Sequence, residues 1–141
     1  MDARDARIHE LLRRHGWQAA TAADPAGWSP ANPSFGQCAV TALLLNEIAG
    51  LEIRRVEAIH PDGTRESHYF NLLDGAPLDP TAAQVPPGSR IPDATGAPRT
   101  RGFASTRAYL LSNPDTRARY QRLRAAADRA ALAALLIPAT A

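Results

Sequence analysis

The segment over residues 37–49 constrains the fold most, because a helix there would be apolar on nearly every side. Its apolar side chains are Ala39, Val40, Ala42, Leu43, Leu44, Leu45 and Ile48. Such a helix needs other elements to cover it, and Gly50 supplies a C-terminal stop. The 141 residues suffice for one core. We therefore expect a single domain over residues 1–141 with this helix at its centre.

Amphipathic helices are predicted at both ends of the chain. Residues 2–15 place Ile8, Leu11, Leu12 and His15 on one face, and Gly16 ends the helix. A short helix is expected over residues 105–111 and a long final helix over residues 116–136. The apolar stripe of the long helix comprises Tyr120, Leu123, Ala127, Ala130 and Ala134. We expect the arginines beside this stripe to face the solvent.

Strands are predicted over residues 53–59, 65–73 and 77–81, with turns at residues 60–63 and at Asp74-Gly75. Residues 24–36 form a loop, and residues 82–102 form a longer one, rich in proline and glycine, that we expect to border a cleft. The predicted class is α+β. In it a central cysteine-bearing helix packs on a small antiparallel sheet, flanked by the N- and C-terminal helices.

Charge and cysteine content limit the binding partners and the cellular compartment that we expect for this chain. Residues 1–98 carry 8 arginines against 12 acids, and residues 99–141 carry 8 against 2. No arginine-rich run has interleaved aromatics, so we expect no nucleic-acid partner. Cys38 is the single cysteine, which excludes an internal disulfide. With no apolar leader or membrane-spanning run either, we expect a cytoplasmic protein without a membrane partner.

Cys38 stands at the predicted start of the apolar helix, directly after Gly36 and Gln37. Free backbone N–H groups and the positive end of the helix dipole favour a thiolate there. Gly36, which lacks a Cβ, would let a substrate carbonyl approach the sulfur. Cys38 is therefore a candidate nucleophile, although a lone cysteine on an apolar helix is also commonly a core residue.

His68 is the candidate base. It shares one face of its predicted strand with Phe70, while Asn71 faces the other way. A two-residue turn at Asp74-Gly75 would pair Phe70 with Asp79, which puts Asp79 diagonal to His68 and within reach of the imidazole. The spacing thus predicts a thiol, a base and an orienting acid in the order Cys38, His68, Asp79.

Three short motifs resemble a known core. Gly36-Gln37-Cys38, the strand His68-Tyr69-Phe70-Asn71 and Asp79-Pro80-Thr81 are similar to the G-x-C, H-x-W/F-N and D-x-T motifs of transglutaminase-like, papain-related proteins. Residues 28–42, together with the Asp79, Thr81 and Gln84 spacing, resemble the small bacterial YunG-type family more closely, over about residues 28–120.

The resemblance implies a cysteine nucleophile at Cys38, a general base at His68 and an orienting acid at Asp79. We therefore expect an acyl-transfer enzyme that acts on a small-molecule or peptide amide or ester and needs no metal or organic cofactor. Amidase, deamidase, peptidase and amine acyltransferase activities all remain open, as does the oligomeric state. The candidates for oxyanion or substrate binding are Gln37, Asn32, Trp28 and Asn71.

Two alternatives to an enzyme of this kind stay open. The first is a non-catalytic binding module of the same fold, which would hold a peptide or small molecule in the cleft beside residues 82–102. The second is a zinc site built from Cys38, His60 and His68, for which the sequence lacks the usual ligand spacing.

Overall fold

The computed structural model describes residues 2–137, and in this range the chain has an α+β fold with one antiparallel sheet. The helices are α1 (Ala3–Arg14), α2 (Cys38–Ala49), α3 (Thr106–Leu111), α4 (Pro114–Ala126) and α5 (Arg129–Leu136). The strands are β1 (Glu52–Ile59), β2 (Arg65–Leu73) and β3 (Ala76–Leu78), in the order β1-β2-β3. Short 3₁₀ turns lie at Ala19–Thr21, Pro25–Gly27 and Ala82–Gln84.

Helix α2 lies at the centre of the molecule, as its apolar pattern predicts. It packs against β1 and β2 on one side and against α4 and α5 on the other, while α1 packs on α5. Val40, Leu43, Leu44 and Leu45 are fully buried. The helix ends at Gly50 in the left-handed conformation, with φ +68°. The cysteine-bearing end of α2 is thereby fixed by contacts along the whole helix.

The β2–β3 hairpin has the predicted two-residue turn and register. Leu73 pairs with Ala76 and Asn71 pairs with Leu78, and the turn residues Asp74 and Gly75 have φ values of +54° and +78°. The strand ends at Leu78, earlier than predicted. Pro80 has no N–H to continue the ladder, and the Asp79 carboxylate accepts hydrogen bonds from Thr81 instead.

The predicted single helix over residues 116–136 is wrong. The chain forms α4 and α5, separated where Ala127 takes an extended ψ of 145°. The side chain of Asp128 then caps α5 by accepting a hydrogen bond from the Ala131 N–H at 3.1 Å. An aspartate in an alanine-rich stretch is a helix-start signal, and it outweighs the continuous apolar stripe.

One arginine of these helices is placed differently from the prediction. Arg124 and Arg129 are exposed as expected, and they form ion pairs with Glu47 of α2 at 2.8 and 2.5 Å. Arg119 is buried rather than facing the solvent. Burial of an arginine requires partners for its charge, which the apolar stripe alone did not reveal.

Part of the segment over residues 82–102 lies along the free edge of β1. Backbone bridges join Arg55 to Ala97 and Ile59 to Arg90, so the segment covers part of this edge. It also supplies Gln84, Ile91 and Ala94 to cavities near β2, which agrees with the expectation that it borders a cleft. Within residues 2–137 no helix has the length and apolar character needed to cross a membrane.

Candidate functional site

Cys38 is the first residue of α2, and its side chain is 8% exposed. Gln37 is the N-cap, and its carbonyl accepts the hydrogen bond from the Thr41 N–H at 3.0 Å. The N–H groups in the first turn of a helix have no carbonyl partner within that helix. The sulfur therefore sits where backbone N–H groups and the helix dipole favour negative charge.

Gly36 is required by the backbone. Its φ is +69°, and a Cβ at this position would lie 2.9 Å from the backbone nitrogen of Ala23. The same Ala23 N–H donates to the Gly36 carbonyl at 2.9 Å. From the sequence, Gly36 is expected to leave room for a substrate. The backbone conformation and this close contact are instead what require glycine here. Gly36 fixes the loop that enters α2, although it also lines the cavity beside Cys38.

His68 and Asp79 are in direct contact. Nε2 of His68 donates to Oδ2 of Asp79 at 2.6 Å, and Oδ1 of Asp79 accepts from the N–H and hydroxyl of Thr81 at 3.2 and 3.1 Å. The imidazole is buried and lies nearly parallel to Phe70, with ring centroids 6.4 Å apart. The diagonal contact predicted from strand parity is thus present, and the carboxylate is itself held by the turn that follows.

The other imidazole nitrogen, Nδ1, is buried and makes no hydrogen bond within residues 2–137. It is the nitrogen left available to Cys38. Burial by itself would raise the pKa of the thiol, but the nearby His68 imidazole, the Tyr69 N–H and the Gln84 amide outweigh burial and lower this pKa. Burial alone would lower the pKa of His68, whereas Asp79 and Cys38 together raise it well above its ordinary value. Both shifts favour a thiolate–imidazolium pair.

Asn71 lies on the opposite face of β2 from His68, as strand parity predicts. Its amide nitrogen donates to the carbonyl of Ala42 at 3.0 Å and approaches that of Leu51 at 3.5 Å. Asn71 therefore ties β2 to the middle of α2. Among the described residues it makes no hydrogen bond to the imidazole, and its role in oxyanion or substrate binding stays a prediction.

The remaining predicted oxyanion candidates are engaged elsewhere. Gln37 is fully buried, and its amide binds Thr21 at 2.8 Å and the Gln18 carbonyl at 3.1 Å. Trp28 donates its indole N–H to the Pro33 carbonyl at 2.9 Å. Asn32 is exposed, and neither it nor Trp28 lines the cavity at Cys38. These three residues shape the loop before α2, because a chain that reverses this tightly must satisfy its own polar groups.

Gln84 is the residue that the sequence interpretation missed. Its amide nitrogen donates to Sγ of Cys38 at 3.5 Å, and its backbone N–H binds the Thr81 carbonyl at 2.9 Å. Its amide oxygen has no hydrogen-bond partner among the described residues. The Asp79, Thr81 and Gln84 spacing had been noticed, but nothing in the sequence places a residue of the proline-rich segment beside the sulfur. The 3₁₀ turn at Ala82–Gln84 does so, since it begins three residues after Asp79.

A cavity of about 300 Å³ opens beside Cys38. Its wall combines apolar and aromatic side chains with charged and amide groups, and its lining residues include Phe35, Tyr69, Gln84, Glu66, Asp24 and Arg119. A separate, mostly apolar cavity of about 220 Å³ lies against His68 and Asp79 and is bordered by Ile91 and Ala94. The sulfur and Gln84 share the first cavity, which makes it the candidate substrate site.

The alternative zinc site is not assembled. In the described part of the chain, no group of three or more histidine, cysteine, aspartate or glutamate side chains is placed to hold a metal ion. His60, one of the ligands considered, lies 3.1 Å from the Glu66 carboxylate. The side-chain hydrogen bonds here are instead those of His68 with Asp79 and of Cys38 with Gln84.

Comparisons with known proteins identify the family. No curated protein and no solved structure shows significant similarity to this chain. The family model described as YunG protein matches residues 5–132, a range that contains most of α1, the whole sheet, and all the residues of the site described above. Because this match covers most of the 141 residues, the chain belongs to the YunG protein family.

Proposed function

We propose that the chain is a cysteine-dependent acyl-transfer enzyme with a transglutaminase-like arrangement of Cys38, His68 and Asp79. The observation that carries the proposal is the position of His68. One of its nitrogens is bonded to Asp79 at 2.6 Å, and the imidazole lowers the pKa of a thiol at a helix N-terminus. The substrate is a small-molecule or peptide amide or ester, and the reaction as written uses no metal or organic cofactor.

In the first half-reaction, the Cys38 thiolate attacks the substrate carbonyl carbon, and a C–S bond forms. The carbonyl π electrons move to oxygen. When the tetrahedral intermediate collapses, the bond to the leaving amine or alcohol breaks, and the leaving group takes its proton from the His68 imidazolium. A thioester on Cys38 and a neutral His68 remain. Asp79 holds the imidazole through Nε2, so that Nδ1 is the nitrogen that moves the proton.

The oxyanion would be held by two donors. One is the backbone N–H of Cys38, which has no partner within the helix. The other is the side-chain amide of Gln84, which in the free protein binds the sulfur itself. Its amide oxygen is not held by another group among residues 2–137, so the amide can turn from the sulfur to the oxyanion. Gln84 thus supports the proposal by filling a place that no upstream side chain fills.

In the second half-reaction, water or an acceptor amine attacks the thioester carbonyl carbon with its lone pair. As it does so, it gives a proton to His68. The C–S bond then breaks, and the sulfur leaves as thiolate, which restores the starting ion pair. Attack by water makes the chain an amidase, deamidase or peptidase. Attack by an amine makes it an acyltransferase.

The proposal is tested by the reactivity of the thiol. We expect iodoacetamide to alkylate wild-type Cys38 at pH values below those at which an ordinary thiol reacts. The His68→Ala protein should show the same profile moved to higher pH, because the imidazolium is lost while the helix dipole remains. His15→Ala is the matched control, since His15 is exposed at the end of α1 and its removal should leave the profile unchanged.

Acylation is tested with p-nitrophenyl acetate. Wild-type protein should release nitrophenolate and carry an acetyl group on Cys38 that mass spectrometry detects and that turns over. The Cys38→Ser protein should form no such adduct. A wild-type alkylation profile typical of an ordinary thiol, unchanged in His68→Ala, would remove the ion pair and with it the enzymatic proposal.

A non-catalytic binding module is the second candidate. The observation in its favour is that Cys38 is only 8% exposed and that Nδ1 of His68 makes no hydrogen bond within the described residues. A structural thiol of this kind would react with iodoacetamide only as the protein unfolds. The same alkylation experiment therefore separates the two candidates.

A further inference from the structure

Arg119 is a buried cation whose charge is weakly compensated by its neighbours. It is 9% exposed, and its Nε donates to Asp115 at 2.9 Å. The Asp115 side chain, however, is 73% exposed. The other two contacts of the guanidinium are neutral, to the Thr21 carbonyl and the Thr116 hydroxyl, each at 3.3 Å. A buried charge with a solvated counter-ion retains much of its field inside the protein.

Arg119 lines the same cavity as Cys38. The three contacts fix its position, and they use three of the five N–H donors that an arginine carries. Two donors remain without a partner among residues 2–137. A planar guanidinium with two free donors matches the two oxygens of a carboxylate.

The cavity wall also contains two acids, Asp24 and Glu66. Asp24 is exposed, so water and salt screen its charge. The Glu66 side chain is 30% exposed, so solvent reaches its charge as well. Arg119, at 9% exposed, is therefore the most buried of the three charged groups.

We propose that Arg119 is a specificity residue that binds a carboxylate group of the substrate in the cavity beside Cys38. The inference rests on the proposed function and names its substrate class, a small amide or ester that carries a carboxylate. A volume of about 300 Å³ suits a small molecule or the end of a short peptide.

Two alkylating reagents that differ in charge test this subsite. In both reactions the Cys38 thiolate attacks the CH₂ carbon, a C–S bond forms and iodide leaves, but iodoacetate carries a carboxylate and iodoacetamide is neutral. The measured quantity is the rate of alkylation by iodoacetate divided by the rate of alkylation by iodoacetamide. In folded wild-type protein, the ratio should exceed that of the same cysteine in urea-unfolded protein by roughly three- to tenfold, as expected for a nearby unit charge that is partly screened.

The variants change this ratio in opposite directions. Arg119→Gln should lower it, although the His68 imidazolium and the helix dipole keep it above the unfolded value, whereas Asp115→Asn, a substitution at an exposed position, should raise it slightly by removing a solvated counter-ion. Arg122→Gln is the matched control, because it removes the same charge from an exposed position of α4 and should leave the ratio unchanged. If Arg119→Gln fails to fold, a wild-type ratio at or below the unfolded value still overturns the subsite.

The outcomes distinguish a failure of the carboxylate subsite from a failure of the proposed acyl-transfer function. A wild-type ratio at or below the unfolded value, or a ratio that Arg119→Gln does not lower, overturns the carboxylate subsite even when iodoacetamide shows an activated thiol. An ordinary thiol profile with iodoacetamide overturns the acyl-transfer function, whatever the ratio.

Discussion

Gly36 and Gly50 offer a quantitative test of how the loop before α2 is fixed. Both are in the left-handed conformation, with φ +69° and +68°. Alanine at either position incurs the cost of that conformation, about 1 kcal/mol. A Cβ at Gly50 would meet no atom within 4 Å, so we expect Gly50→Ala to lower the free energy of unfolding by only this amount.

Gly36→Ala carries a second cost. The new Cβ would lie 2.9 Å from the backbone nitrogen of Ala23, and the loop must move to relieve this contact. This movement stretches the hydrogen bond from the Ala23 N–H to the Gly36 carbonyl, which is 2.9 Å long in the native protein. Loss of this hydrogen bond costs about 1 kcal/mol, and the remaining close contact brings this second cost to about 1 to 2 kcal/mol. The total for Gly36→Ala is about 2 to 3 kcal/mol.

The assay is urea unfolding of the two variants and the wild-type protein, followed by circular dichroism. The difference between the variants, about 1 to 2 kcal/mol, isolates the contact with Ala23, because the conformational cost is common to both. Thermal unfolding should show the same order, with a difference of about 3 °C per kcal/mol. Equal destabilisation by Gly36→Ala and Gly50→Ala would refute the reasoning, and substrate access would again be the better explanation of Gly36.

Three further predictions concern the site and its surroundings. Gln84→Leu should slow acylation by p-nitrophenyl acetate about 10²-fold, while iodoacetamide alkylation, which develops no oxyanion, should change far less; equal slowing of both would contradict the oxyanion role. Asp79→Asn should move the alkylation profile toward higher pH by less than His68→Ala does, because Asp79 acts through the imidazole; a larger movement would contradict this order. Asp5 is buried, and its pKa is raised to about 6, mainly by burial and secondly by the negative charge of Asp2. The native state therefore keeps the Asp5 proton to a higher pH than the unfolded state does. Stability should therefore fall as pH rises from about 3.8 to 6, and Asp5→Asn should remove that part of the fall, measured by urea unfolding across this range; an unaltered pH dependence would contradict the assignment.

Periodicity and turn chemistry predicted most of the elements correctly. An all-round apolar helix has to be central, and Gly50 ends it where expected. The Asp74-Gly75 turn set the register of the hairpin, and the period of two placed Asp79 within reach of His68 and Asn71 on the other face. These features depend on residues close together in the sequence, whose relative positions local geometry decides.

The break between α4 and α5 was missed for a local reason, because the Asp128 cap competes with a continuous apolar stripe. The other errors have a common cause in polar groups whose partners lie far along the chain. The burial of Arg119 depends on Thr21, which is 98 positions away. Gln37 was expected near the substrate, yet its amide holds the turn at Gln18. Hydrophobic pattern carries no information about which distant carbonyl a polar side chain will reach.

The sequence by itself determined the class of fold, the helix that carries Cys38 and the strand pairing that brings His68 to Asp79, because apolar periodicity and a two-residue turn act locally. Only the tertiary structure decided what surrounds the sulfur. Gln84 and Arg119 come to the cavity of Cys38 from segments 46 and 81 residues away, through a 3₁₀ turn and a helix packed on α2. Their positions follow from the packing of whole elements around one buried helix, and a free energy of packing depends on all the elements at once.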